Sequence, residues 1–262
     1  MLRTYAAKLV RKFVYDDLEQ YQSLMDIDHP DFIWMNYGLD ADDFSWLENE
    51  LDRAWKYQMN MARFTVRGLD LAGRSVLDVG SGRGGNCWYL LRYHKPRRIV
   101  GLDQSSAQIS WCNHRFRHEA ILFTAGDAQR LPFANDSFDA ITNIESASHY
   151  PDTRHFYKEA HRALVPGGHF CISCNFADTG KEERSMQRVG FRVIDRQDIT
   201  ERVVDALEKN SQNLSELLSQ MAATEKAKAV GSRLHHAMAT EVPNMLRHKQ
   251  RFLSWVLQKQ GS

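Results

Sequence analysis

Apolar and polar positions follow two rhythms along this chain. From Ser75 onward, short and nearly continuous apolar runs recur: SVLDV, RIVGLD, ILFTAGD, AITNIES and HFCISCNF. Segments with helical spacing separate them. Apolar strands joined by crossover helices predict a parallel sheet covered on both faces. Ser105 or Ser106 can cap a helix whose apolar side is Ala107, Ile109, Cys112 and Phe116. Asp152 can cap another, with Phe156, Ala160, Ala163 and Leu164 on one side, and Pro166-Gly167-Gly168 is expected to end it. Gly190 to Thr200 reads as a sixth strand and RFLSWVLQKQ as a seventh. Between these two lies a helical stretch with Leu214, Leu217, Leu218 and Met221 at helical spacing. Its length exceeds a minimal connection, which suits a cover over a ligand site.

Residues 1–70 read as mostly helical. Leu2, Ala6, Leu9, Val10, Phe13 and Val14 make an apolar stripe among Arg3, Lys8, Arg11 and Lys12. That stripe is expected to pack on its own domain, with a membrane surface as the alternative. Asp40, Asp42 and Asp43 read as a solvated helix start. The expected organisation is a helical cap (1–70), a ligand-binding core (71–200), a helical lid (201–246) and a final core strand (247–262).

Composition narrows the classes. The chain has 262 residues, 43% hydrophobic and 26% charged, with a net charge of +1. This is the make-up of an ordinary soluble protein. It lacks the basic excess of nucleic-acid binders, so no nucleic-acid partner is expected. No apolar run approaches the length of a membrane span, and the N-terminus has no unbroken apolar core, so a cytoplasmic location is expected. Cys171 and Cys174 spell C-x-x-C inside a strand, where an offset of three sends their side chains to opposite faces. They are expected to be reduced structural thiols. His114 and His118 stand four apart on a helix among arginines and read as solvated, so no metal is expected.

The stretch SVLDVGSGRGGN carries the chemistry. Gly80, Gly82 and Gly85 satisfy G-x-G-x-x-G, and such a loop lets the backbone approach a ligand closely. Asp103 ends the second strand and can accept from two ribose hydroxyls. To this point a nicotinamide dinucleotide and S-adenosylmethionine fit equally. In GDAQRLPF, after the third strand, Asp127 can accept from an adenine amino group, and the Ala128 amide can donate to a ring nitrogen.

The order VLDVGSGRGG, GLD, GDAQRLPF, SFDAI and LVPGG resembles the class I S-adenosylmethionine-dependent methyltransferases, over Ser75 to Asp178. The resemblance implies an α/β Rossmann-like sheet of seven strands, the last antiparallel, with helices on both faces. It implies that Asp78, Gly80 and Gly82 hold the methionine end of S-adenosylmethionine. Asp103, with Gln104 beside it, would take the ribose, and Asp127 with Ala128 the adenine. Asn143, ending the fourth strand, joins the cofactor set. A narrower similarity lies in FIWMNYG, NIESASHYPD and KNSQ. These resemble a subgroup acting on lipids, sterols and polyketides, including phthiotriol dimycocerosate methyltransferases. By that similarity Tyr37 and Gln58 would sit over the cofactor. The loop here reads GSGRGG where those enzymes carry SCGHGG.

Methyl transfer is an in-line displacement, so the protein must align the nucleophile and, for a hydroxyl, remove its proton. Asn143, Glu145, Ser146, Ser148 and His149 follow the strand beside the glycine loop. His149 is the expected general base, because imidazole titrates near neutrality. Glu145 would bind cofactor or orient the base, and Asp178 would polarise the histidine or contact substrate. The expected reaction is O-methylation of an apolar small molecule, a lipid, polyketide or other secondary metabolite. Carbon methylation of an isoprenoid or sterol-like alkene is the alternative. A cyclase or non-catalytic cofactor binder on the same fold is the reading from another class. An apolar lid surface would equally join two subunits, so a homo-oligomer stays open.

Overall fold

The computed structural model describes residues 27–47, 49–117, 120–221 and 223–260. The basic stripe of residues 2–14 lies outside them, as does His118. Helices α1 (Glu50–Ala54) and α2 (Lys56–Thr65) precede the sheet. Then β1 (Ser75–Val79), α3 (Gly85–His94), β2 (Arg98–Asp103), α4 (Ser106–Arg115), β3 (Ile121–Ala125) and β4 (Phe138–Ile144) alternate. After these come α5 (Thr153–Ala163), β5 (Leu164–Phe176), α6 (Thr179–Val189) and β6 (Phe191–Asp198). Three helices, α7 (Thr200–Met221), α8 (Glu225–His236) and α9 (Val242–His248), lead to β7 (Arg251–Lys259).

The seven strands lie in the order β3-β2-β1-β4-β5-β7-β6. β1 to β5 pair in parallel, and β7 runs antiparallel to both β5 and β6. This is the expected sheet, with its last strand reversed. Alternation along each strand feeds two apolar layers. Val76, Ile99, Ala140 and Cys171 face one layer with α2 and α7, and Leu77, Val100, Ile141 and Cys174 face the other. The two cysteines of C-x-x-C therefore lie on opposite faces, both free and buried. Strand order reverses at β1, which sits between β2 and β4. The space beyond the carboxyl ends of these strands is where such sheets bind ligands.

Three local expectations need correction. Residues 27–47 are not helical. They run as an irregular segment over the glycine loop, held by tertiary contacts that override local propensity. Asp40 to Asp43 therefore start no helix. The Asp40 carboxylate pairs with Lys209 at 2.6 Å, and the Asp43 side chain caps a turn at Ser45. Pro166-Gly167-Gly168 does not end α5, which stops at Ala163. Leu164 already pairs with Phe138, and the Pro-Gly-Gly residues form the entry of β5, where the register shifts. The helix caps are as read: Ser105 Oγ accepts from the Gln108 amide, and Asp152 accepts from the Arg154 and His155 amides.

Candidate active site

A crevice of about 1080 Å³, counted with its open mouth, lies over the tips of β1, β2 and β4. Its floor is the glycine loop. Gly80 turns with φ +76, and a Cβ there would meet Ser146 Oγ at 2.1 Å. No other residue fits that position. The Gly80 and Ser81 amides both donate to the Leu102 carbonyl, at 2.7 and 3.0 Å, which fixes the loop against β2. Gly85 opens α3 and lets the chain from Ile33 to Trp34 lie directly on the loop, its amide donating to the Ile33 carbonyl at 3.1 Å.

The carboxylates of the floor are held by backbone amides. Asp103 accepts from Gly82 through Oδ2 at 3.0 Å and from Ser105 through Oδ1 at 2.9 Å. Each of its oxygens has a further lone pair, and Asp103 is on the crevice wall. Asp127 Oδ1 accepts from the Gln129 amide at 2.8 Å, and Asp127 and Ala128 stand together on the wall. Asp78 is fully buried beneath the loop. Its carboxyl accepts from Thr142 Oγ1 at 2.7 Å and faces Cys87 Sγ at 3.7 Å. Burial pushes its pKa up to about 7, against the opposing hydrogen bonds from Thr142, Cys87 and Asn86.

The far wall comes from the residues after β4. Glu145 holds φ +54, a left-handed conformation that costs a non-glycine residue of the order of 1 kcal/mol. The strain turns its carboxyl toward the cap, where Oε1 accepts from the Tyr37 amide at 2.8 Å. Burial drives its pKa well above the carboxylate range, with the Tyr37 amide pulling the other way. Ser146 Oγ and Tyr150 hydroxyl lie 2.7 Å apart, and Asn143 Nδ2 donates to the same Tyr150 oxygen at 3.0 Å. His149 closes a single tight turn, Ala147–His149, and lies on the crevice wall with Glu145, Ser146 and Tyr150.

Of the residues expected from the sequence, the structure brings Gly80, Gly82, Asp103, Gln104, Asp127, Ala128, Glu145 and His149 onto one crevice. Asp78 and Asn143 stand behind it, supporting the loop and the β4 turn: Asn143 Nδ2 donates to the Val79 carbonyl at 2.7 Å, and its Oδ1 accepts from the Ala147 amide at 3.0 Å. Three of the expected residues lie outside the lining of this crevice. The Tyr37 ring packs edge-on against Phe252, and its amide donates to Glu145. Gln58 lies in a separate, smaller cavity. Asp178 is an exposed N-cap of α6, accepting from the Lys181 amide at 2.9 Å, because the chain turns away from the crevice after β5.

Arg83, inside the glycine loop and behind the crevice, is one residue that sequence reasoning passed over. It is fully buried, and its guanidinium donates to the carbonyls of Ile27 and Phe32 at 2.8 and 3.1 Å and to Gln108 Oε1 at 3.3 Å. It also stacks over Phe32 and Trp111. The departure GSGRGG was the available signal: an arginine inside a glycine loop needs buried acceptors. Tyr150 and Asn36 were also missed. Asn36 bridges the cap to α3 through Asn86 Oδ1 at 3.4 Å.

Comparison with known proteins decides the family. A methyltransferase domain model matches residues 77–172. A fatty-acid O-methyltransferase of Mycolicibacterium smegmatis is 33% identical over 195 residues, 73% of this chain and 71% of that one. The chain is a class I S-adenosylmethionine-dependent methyltransferase. A phthiotriol/phenolphthiotriol dimycocerosates methyltransferase of Mycobacterium tuberculosis is 33% identical over 175 residues, 64% of this methyltransferase and 63% of that protein. The [4+2]-cyclase SpnF superposes with a TM-score of 0.71 at 18% identity, covering 91% of this chain and 94% of its own. That likeness concerns the fold alone.

The crevice of this methyltransferase fits its cofactor. The glycine loop packs so closely against Ser146, Phe123 and Trp34 that side chains have no room there, and α3 begins beside it with the positive end of its dipole. Asp103 has the position and lone pairs for ribose hydroxyls. When bound, S-adenosylmethionine supplies a methyl group on a positively charged sulfur. Among the described residues, no helix is long and apolar enough to cross a membrane.

Proposed function

We propose that this enzyme methylates a hydroxyl oxygen of a lipid-like small molecule, with His149 as general base. The observation that carries this is the state of the titratable groups on the wall. Glu145 accepts from the Tyr37 amide, and burial raises its pKa well above the ordinary carboxylate range. The Tyr150 hydroxyl is pushed far up by burial and is shared between Ser146 and Asn143. Asp103 and Asp127 are oriented by backbone amides, and on this reading their further lone pairs serve the cofactor rather than the substrate. His149 is the remaining group of a type that exchanges protons near neutrality. On the same reading, Asp103 with Gln104 orients the ribose, Asp127 with Ala128 the adenine, and Gly80 with Gly82 the methionine end. Residues 1–70 and 201–246 act as cap and lid over the core. The names of the fatty-acid and phthiotriol relatives point the substrate toward lipids.

Glu145 supports a second reading, carbon methylation of an alkene. A strained carboxyl on the crevice wall would, once ionised, face the carbocation that such a transfer forms.

His149→Ala separates the two. A base adds about 10²–10⁴-fold, so O-methylation should fall by that much, with S-adenosylhomocysteine affinity unchanged and the acidic limb of the pH–rate profile abolished. Full activity across pH in the variant rejects the assignment.

A further inference from the structure

The residues lining the crevice include three carboxyl groups, Asp103, Asp127 and Glu145, and no lysine or arginine. Asp103 and Asp127 are set in place by amides of the floor. Glu145 is set in place by the cap. Its backbone holds φ +54, and its Oε1 accepts from the Tyr37 amide at 2.8 Å. That is its one hydrogen bond among the described residues, so Oε2 is left open on the crevice wall. Burial raises its pKa well above the ordinary carboxylate range, with the Tyr37 amide opposing. The groups around it supply no fixed positive charge: His149 and Tyr150 on the same turn, Cys174 on β5, and Asp103 and Asp127 on the floor. The charged form of such a carboxyl is favoured when an opposite charge comes beside it.

The cofactor supplies that charge in one of its two forms. S-adenosylmethionine carries a positive sulfonium, and S-adenosylhomocysteine, left after transfer, carries a neutral thioether. Adenine, ribose and amino acid are the same in both, so discrimination by charge falls to groups near the sulfur. In the placement given above, the sulfur joins the ribose at Asp103 to the methionine end at Gly80. The wall beside Gly80 is the turn from Glu145 to Tyr150, where a Cβ on Gly80 would run into Ser146 Oγ. Resting on that placement, we propose that Glu145 reads the charge on the cofactor's sulfur, ionised opposite the sulfonium and protonated opposite the thioether. The proton leaves to solvent as S-adenosylmethionine binds and returns once only the thioether remains. While the sulfonium is present it holds the carboxylate as a weak base, so His149 keeps the role assigned to it. An ionised Glu145 also accepts more strongly from the Tyr37 amide. The cap is therefore held tighter over the reactive cofactor than over the spent one, whichever atom takes the methyl group.

Calorimetry on the full chain, with no methyl acceptor present, tests this. Each form of the cofactor is titrated near neutral pH in buffers of different ionisation enthalpy, which counts the protons released. S-adenosylmethionine should release up to about one proton per chain more than S-adenosylhomocysteine. In Glu145→Gln, which keeps the shape and an acceptor for the Tyr37 amide, that excess should disappear. The ratio of S-adenosylmethionine to S-adenosylhomocysteine affinity should fall about tenfold or more in this variant, since each pKa unit of mutual influence is about tenfold in binding. Affinity for S-adenosylhomocysteine should change by about twofold or less. In the wild type, hydrogen exchange at the Tyr37 amide should be slower with S-adenosylmethionine bound than with S-adenosylhomocysteine. Equal proton counts or equal exchange with the two ligands overturn the proposal on the wild type alone. An excess that survives in Glu145→Gln overturns it too and assigns the proton to His149 or Asp78. An equal loss of affinity for both ligands in that variant has the same consequence, because the carboxyl would then serve shape and not charge. Binding of both ligands that Asp103→Ala leaves unweakened rejects the placement of the cofactor itself.

Discussion

The floor of the crevice and its roof are built on opposite plans. On the floor, Asp103, Asp127 and Asn143 are oriented by backbone partners, and Gly80 lies so close to Ser146 that no Cβ fits. On the roof, Ile33, Trp34 and Met35 offer shape. A floor of this kind recognises one ligand whose hydroxyls and amines always fall at the same points. A roof of this kind recognises bulk.

The joint between the two regions is the most sensitive place to break. Arg83→Met strips the donors from the buried Ile27 and Phe32 carbonyls, and each unsatisfied group costs about 1–3 kcal/mol. A loss of roughly 2–5 kcal/mol is expected in urea unfolding, and cap cleavage by protease should rise in step. Unchanged stability would separate cap from floor. Gly80→Ala attacks the floor alone. The added Cβ collides with Ser146, so S-adenosylhomocysteine should bind about 10–100-fold more weakly by calorimetry, while stability changes less than in Arg83→Met.

A subtler effect concerns protons beneath the floor. Asp78 has its pKa raised by burial from 3.8 to about 7, so the folded protein holds a proton that the unfolded chain releases. Its contribution is complete below pH 3.8 and is lost as pH rises through about 7. Stability without cofactor should therefore slope downward across that window. Asp78→Asn should flatten this part of the slope, by about 1–4 kcal/mol end to end, in melting curves taken against pH. A slope identical to the wild type would show Asp78 ionised throughout. Smallest of all is Asp178→Ala, which removes an exposed cap. It should cost about 0.5–2 kcal/mol in stability and leave kcat in place. A fall in kcat with unaltered melting would return Asp178 to the chemistry.

Legibility followed the same division. Strands β1 to β4 could be read because each is a short, largely apolar run bounded by turn residues, and the floor residues follow at their ends. Local signals also placed Ser105 and Asp152 as caps. The roof obeyed longer-range forces. The segment from Ile27 to Leu47 falls within the stretch read as mostly helical, yet Arg83 and Gly85 capture its carbonyls and hold it irregular. Asp178 follows a strand at active-site spacing, but the start of α6 takes its carboxylate as a cap. Gln58 and Trp55 could not be told from core residues, since a missing partner is visible only once the neighbours are in place.

Calorimetric titration of S-adenosylhomocysteine into the wild type and Asp103→Ala tests the central claim most directly. The wild type should bind one molecule per chain, and the variant should bind about 100-fold more weakly, as expected for two lost hydrogen bonds to a charged acceptor. Equal affinity in the two proteins would contradict the assignment of the floor as the cofactor's seat.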